Sequence, residues 1–224
     1  MSFLKKEGII MVNKNAFRSL SYGVYIVSTL DGDRPTGCVA NSAMQITSEP
    51  ATIAISINHD NYTNECIEKT GKFALSILSE QSDSGLIGTF GFQSGKDVNK
   101  FDGVDALVKS DISVVKDSCG YVVCKVIDKM ETSTHTVFLG EVIDADVLKN
   151  EDAMTYAYYH KVVKGKSPKN APTYIAEEET KQDGKWMCGV CGYTYAGDVP
   201  FEELPESYVC PICKQPKSVF EFVK

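Results

Sequence analysis

The chain has 224 residues, with 23 Lys and Arg against 30 Asp and Glu, a net charge of −7 and 43% hydrophobic residues. That length accommodates one large domain or two, and the acidic balance speaks against nucleic acid and anionic membrane surfaces as partners. Its apolar runs are too short for a transmembrane segment, and the opening Met-Ser-Phe-Leu-Lys-Lys-Glu-Gly lacks the apolar stretch of a signal peptide, so a cytoplasmic protein is expected.

In chain order, residues 13–20 are predicted to form a short helix with Ala16, Phe17 and Leu20 on one side. From Tyr22 the pattern is extended, through a turn at Asp31-Gly32 and on from Thr36 to Ile46. Pro50 precedes a β-branched strand, Ala51 to Ile57. Tyr62 to Lys69 reads as a helix stopped by Gly71, and Lys72 to Leu78 as a strand. The span 80–92 has helical character but carries Gly85, Gly88 and Gly91, which work against a helix. Strands are predicted at 111–116, 120–131 and 135–148, then a helix over 152–164 with Tyr156, Tyr159, His160 and Val163 on one side. Strands with helices inserted, rather than in regular alternation, predict a mainly β protein built on an antiparallel barrel or sandwich. Gly91 to Lys96 has too few residues between its glycines for a phosphate loop and no Ser or Thr after the lysine. Residues 174–184 are acidic and end in Asp183-Gly184. They read as a linker that could span about 35 Å at ~3.3 Å per residue.

Two Cys-x-x-Cys pairs, Cys188/Cys191 and Cys210/Cys213, stand eighteen residues apart. Each pair turns tightly enough to aim both sulfurs one way, so together they place four thiolates around one metal. Zinc and iron both accept that set. A tail this short needs such a staple, whereas the remainder can bury its own core. The other cysteines, Cys38, Cys66, Cys119 and Cys124, have no paired spacing and are expected to be reduced packing residues.

The tail resembles rubredoxin in Cys-x-x-Cys-Gly-Tyr-x-Tyr at 188–195, Leu204-Pro205-Glu206, Cys-Pro-x-Cys at 210–213 and Lys217-Ser218-x-Phe220-Glu221. Trp186, Tyr193, Phe201, Tyr208 and Phe220 supply the matching aromatic packing. The resemblance implies one iron held by Cys188, Cys191, Cys210 and Cys213, cycling between ferric and ferrous as a one-electron carrier. Three departures stand out: a shorter span between the pairs, Trp186 where Tyr is usual, and Lys214 where Gly usually follows the last cysteine. Lys214 is therefore expected to take a left-handed backbone conformation that Gly adopts at less cost.

Two earlier segments have the chemistry for a phosphorylated cofactor. Thr36 to Ser42, with Ala40 and Asn41, offers small and polar residues that let donors approach a planar ring. Ser56, Asn58, His59, Asn61 and Thr63 lie where a strand gives way to a helix, whose free N–H groups suit a phosphate. Such a cluster before a helix more often serves simply as a cap, and Asp60 would repel a phosphate if it pointed inward. In order, Thr36-Gly37…Asn41-Ser42, Pro50, Asn58…Thr63, Ser94-Gly95-Lys96-Asp97-Val98…Lys100-Phe101, His135 before Phe138-Leu139-Gly140-Glu141-Val142, and Tyr159-His160 through Ser167-Pro168 resemble the flavin-reductase-like, flavoredoxin-type FMN-binding split barrel. This resemblance covers about residues 10–174. It implies a homodimer with FMN near the subunit interface and Lys100 neutralising the phosphate. His135 would lie near the ring, with Thr134 where many relatives have Asp, and His160 would cover the other side.

The expected organisation is a split barrel over 1–173, an acidic linker over 174–184 and a rubredoxin-like domain over 185–224. The fusion resembles the high-molecular-weight rubredoxins. That resemblance implies electrons passing from NAD(P)H through FMN to iron, and on to a flavodiiron protein that reduces oxygen or nitric oxide. From Glu177 onward nine acidic and five basic residues would dock on a basic rim of that partner. Two other readings stay open: a barrel that reduces free flavin or ferric chelates with an accessory metal knuckle, and a zinc docking module that carries no electrons.

Overall fold

A computed structural model describes residues 14–163 and 185–223, except 198 and 200. The expected linker at 174–184 and the domain edges beside it lie outside the described residues.

The strands of the larger part are β1 (Tyr25–Asp31), β2 (Arg34–Ala40), β3 (Ala43–Ser48), β4 (Ala51–Asn58), β5 (Lys72–Ile77), β6 (Ala106–Lys109), β7 (Ile112–Val115), β8 (Gly120–Glu131) and β9 (His135–Val147). Helix α1 (Tyr62–Thr70) lies between β4 and β5, and α2 (Ser84–Phe92) between β5 and β6. Seven strands form one antiparallel sheet in the order β2-β1-β5-β8-β9-β4-β3, with β6-β7 as a separate hairpin. This is the split β-barrel expected, and its mainly β character follows from β-branched runs punctuated by turn residues.

Period two explains why the central strands read as continuous apolar runs: both faces are covered. On one face Val27, Phe73, Leu75, Cys124 and Phe138 pack with Ile55, Ile57 and Ile67 of α1. On the other, Ile26 and Leu78 meet Ile87 and Phe90 of α2, while Ala74, Tyr121 and Val123 meet Ile112 and Val114 of β7. Helix α1 begins where the Asn61 side chain accepts from Thr63 N and ends at Gly71, φ 63°. Only a glycine takes that left-handed cap without strain.

Four differences from the sequence expectation have identifiable causes. The extended stretch 36–46 is two strands, because the chain leaves β2 at Asn41-Ser42, where Ser42 O accepts from Ser56 N and the buried Asn41 turns the strand. Residues 152–155 are not helical: Met154 donates its N–H to Leu78 O and accepts from Val24 N, which ties the segment to the ends of β5 and β1. The helix is thereby shortened to α3 (Tyr156–Tyr158), capped by Thr155 Oγ1 and widening into a π-type turn over Tyr159–Val163. The N-terminal helix is a 3-10 segment, Lys14–Ser19, whose expected face of Ala16, Phe17 and Leu20 is exposed. Strand β6 was not anticipated; its four residues are too few to show a period.

Gly140 shows how tightly β9 packs. A Cβ there would lie 2.6 Å from Cβ of Cys124 and 2.8 Å from the Phe73 ring. Gly140→Ala is expected to destabilise the barrel by about 1–3 kcal/mol through overpacking. The readout is a lower denaturant midpoint with an unchanged slope.

The tail pairs β10 (Lys185–Cys188) with β11 (Phe220–Val223), bringing Cys188 opposite Phe220.

Candidate functional site

The two cysteine pairs form matching knuckles. Gly192 N donates to Cys188 O at 2.8 Å, and Lys214 N donates to Cys210 O at 2.9 Å. Gly192 and Lys214 hold equivalent places and both are left-handed, at φ 73° and 57°. The sequence-based expectation for Lys214 is thus met. All four sulfurs lie within 4.8 Å of one another and all four cysteines are buried. Sγ of Cys188 is 3.6 Å from that of Cys213, and Sγ of Cys191 is 3.5 Å from that of Cys210. A tetrahedron with ~2.3 Å metal–sulfur bonds has edges of about 3.8 Å, while a disulfide needs ~2.05 Å, so the cage fits a metal and not a pair of disulfides.

The electrostatics agree. The Cys191 thiol and the backbone N–H groups of Cys213 and Ile212 hold Cys210 down to about 5, an acceptor-rich thiolate. Burial pushes Cys213 up to about 12, and the neighbouring Cys210 sulfur pushes Cys191 up strongly. A buried cluster of sulfurs like this needs a cation at its centre to balance thiolate charge. An aromatic shell surrounds them: Trp186 stacks on Phe201 at 4.7 Å, Phe201 leans on Phe220 at 4.8 Å, and Trp186 Nε1 donates to Glu202.

Beside this cage lies a cavity of about 660 Å³, within the usual size of a cofactor site. Ser56, Ile57 and Asn58 reach it from the end of β4. His135 stands directly across the ladder from Asn58. Thr134 Oγ1 lies 2.8 Å from His135 Nδ1, so a hydroxyl orients the imidazole. Ala40, Asn41, Asn61 and Lys100 also line the cavity, as does Asp60, the acidic residue flagged in the sequence. Cys38 lines it as well, its thiol pushed up by burial and so kept neutral.

Five expected cofactor residues lie off the wall. Thr36 is 1% exposed, with Oγ1 lacking a hydrogen-bond partner among the described residues; it sits under Gly95, which does line the cavity. Ser42 donates to Asn41 Oδ1 and so supports a wall residue. His59 faces out, 3.1 Å from Glu131. Thr63 is buried in α1 with its N–H taken by Asn61. His160 stacks edge-on against Tyr156 at 4.3 Å, behind the tyrosine that meets the cavity. Sequence reasoning missed Ile87 and Phe90 of α2, Gln93 and the first knuckle, Met187 to Gly192. Ser94 and Gly95, which lack the spacing of a phosphate loop, also line the cavity. Polar side chains together with the aromatic residues Phe90, Tyr156 and Tyr159 in one lining suit a planar, phosphorylated cofactor.

Residues 17–167 match the flavin reductase like domain family, and residues 186–221 the rubrerythrin, rubredoxin-like domain family. Fold and sites therefore define an oxidoreductase in which a flavin-reductase-type barrel is fused to a rubredoxin-type four-cysteine iron domain. The chain is 38% identical over 227 positions to the high molecular weight rubredoxin of Moorella thermoacetica, covering 94% of this chain and 99% of that protein. It belongs to the high-molecular-weight rubredoxins. A ferric-chelate reductase (NAD(P)H) of Archaeoglobus fulgidus is 38% identical over 162 positions, covering 71% of this chain and 96% of that one. The NADH:FAD oxidoreductase SgcE6 of Streptomyces globisporus shares the barrel fold, with a TM-score of 0.58 at 24% identity over 62% of this chain and 83% of that one. A flavin and one iron are the redox groups these two sites suit.

Proposed function

We propose that the chain conducts electrons from NAD(P)H to its four-cysteine iron and on to a soluble acceptor. One observation carries this reading: the first iron knuckle, Met187 to Gly192, forms part of the wall of the barrel's own cofactor cavity. When bound, a flavin accepts hydride from nicotinamide and releases electrons singly, which matches a two-electron donor to a one-electron iron. The chain's residues supply the setting. Asn41, Ser56, Asn58 and Asn61 present polar groups to the cofactor's edge and phosphate, and His135, held by Thr134, presents its ring to the same cavity. Phe90, Tyr156 and Tyr159 exclude water from the side nearest α2. The cage is buried and closed by four cysteines, so the metal changes charge with little ligand movement.

FMN is the flavin we assign, on the barrel's resemblance to FMN-binding split barrels and its match to the flavin reductase like domain family. The relative named as an NAD(P)H-dependent ferric-chelate reductase supports NAD(P)H as the donor. We further propose a homodimer. Edge strand β3 exposes Met44 and Ile46, and β8 and β9 expose Met130 and Ile143, apolar surface that a second copy would cover. The outlet we assign is a flavodiiron protein acting on oxygen or nitric oxide, reached through the acidic tail, in the cytoplasm. No helix among the described residues is long and apolar enough to cross a membrane, and all eight cysteines are free.

Anaerobic rapid mixing with NADH tests the relay. The ferric-thiolate absorbance is expected to bleach within one turnover of flavin reduction. If the flavin cycles repeatedly while the iron stays oxidised, the barrel is a ferric-chelate or free-flavin reductase with an accessory metal domain.

A further inference from the structure

Helix α2 carries Gly85 and Gly88, three residues apart and hence on one face. Glycine is the poorest helix former after proline, so its use inside a helix asks for a reason in space. At Gly88 that reason lies outside the barrel. A Cβ there would fall 2.5 Å from Cα of Cys213, 2.8 Å from O of Ile212 and 3.0 Å from Cβ of Cys213, and these are its three nearest atoms. All belong to the second iron knuckle, and two of them are backbone. Next to this contact Ser84 Oγ donates to Pro211 O at 2.8 Å. Lys214 Nζ reaches to 3.6 Å from Oδ1 of Asp83, the N-cap of α2.

Lys214 adds an independent sign. Its knuckle needs a left-handed residue there, and the equivalent place in the first knuckle is filled by Gly192. A lysine held at φ 57° is a local strain that persists only where the surroundings use it. The ammonium's reach to Asp83 is such a use. An exposed ion pair alone contributes little, so the backbone contact at Gly88 sets the fit and Lys214 fixes its register.

We propose that α2 is the docking face for the iron domain, with Gly88 admitting the second knuckle to backbone contact and Lys214 latching it through Asp83. The iron is then a fixed station against the cofactor cavity rather than a freely tethered carrier. This deepens the proposed relay and rests on it for its purpose, though the contact can be tested alone.

The test uses the full-length, iron- and flavin-loaded protein. Zero-length carbodiimide cross-linking with peptide mass spectrometry is expected to join Asp83 to Lys214. Gly88→Ala, which favours the helix itself, is expected to abolish that cross-link while the protein keeps its iron colour and flavin. Lys214→Gly leaves the knuckle unstrained but removes the latch. In both variants amide hydrogen exchange across residues 84–92 is expected to quicken, so the second variant decides the matter if the first folds poorly. Absence of the cross-link in the native chain, its survival in Gly88→Ala, or unchanged exchange in both variants overturns the proposal. A chain that cross-links as expected but never bleaches its iron with NADH keeps the docking and loses the relay. A chain that bleaches without cross-linking loses the docking alone.

Discussion

Cys210→Ser is expected to strip the iron from the tail and unfold residues 185–223, while the barrel stays folded. Of the seven buried residues in the tail's cluster, four are the ligands themselves, leaving Phe201, Ile212 and Phe220. Burying three such side chains contributes about 5–9 kcal/mol, against the ordering of the whole tail. A four-ligand structural metal site contributes on the order of 10–16 kcal/mol in small domains, so the metal outweighs the apolar packing. Serine at 210 removes the sulfur that backbone N–H groups of Ile212 and Cys213 hold as thiolate, and three ligands no longer close the tetrahedron. The barrel does not share this dependence, because its clusters draw on Ile26, Phe73, Phe90 and Phe138, far from any ligand in sequence. Metal analysis, loss of the ferric-thiolate bands and near-complete exchange of tail amides are the expected readouts. NADH-driven reduction of a small ferric chelate at the barrel should persist, whereas transfer to a protein acceptor should fall to background. If the barrel also loses its flavin, the first knuckle is needed to hold that cofactor as well as to receive electrons from it.

The iron cage was legible because its signal is local. Two Cys-x-x-Cys pairs at this separation point to two knuckles around one metal, and even the left-handed Lys214 could be read from its place after Cys213. The strands were legible for the same reason, since β-branched runs bounded by glycine and proline carry their own period. What failed depended on contacts between distant parts of the chain. Helical character over 80–92 was legible and α2 forms there, but the reason for Gly88, which lies against the iron knuckle, was not. Residues 152–155 look helical but spend their backbone on Leu78 and Val24. Within the cavity, Ser56, Asn58 and Asn61 were readable from their place where β4 gives way to α1. His59, one residue past the strand, turns out to Glu131, and no periodicity extends that far. The wall formed by Met187 to Gly192 exists only once the two domains meet.

Lys100 gives the second large effect, and its sign separates two roles. Its side chain is 1% exposed, and Nζ donates to Thr89 O at 2.8 Å and to Phe90 O at 3.1 Å, carbonyls in the last turn of α2. Those groups have no partner within the helix, and a cation there also meets the negative end of the helix dipole. Burial holds the ammonium down from 10.5 to about 8. Between those values the unfolded chain binds the proton and the folded chain does not, so stability rises with pH. The contribution is complete above 10.5 and is lost as pH falls through about 8. Its size is about 3 kcal/mol. Lys100→Met keeps most of the stem but leaves two carbonyls buried, at about 1–3 kcal/mol each, while relieving the buried charge. These opposing effects largely offset at pH 7, and the wild-type advantage is expected to grow by about 3 kcal/mol toward pH 10.5 and above. Denaturant unfolding of both proteins across that range measures it, because titrations common to both cancel in the difference. Flavin then discriminates. If Lys100 also meets the cofactor's phosphate, the anion holds the ammonium protonated, the slope above pH 8 flattens in the loaded protein, and flavin affinity falls through that pH in wild type but not in Lys100→Met. If it acts only as the cap of α2, affinity is indifferent to pH there and the slope survives loading.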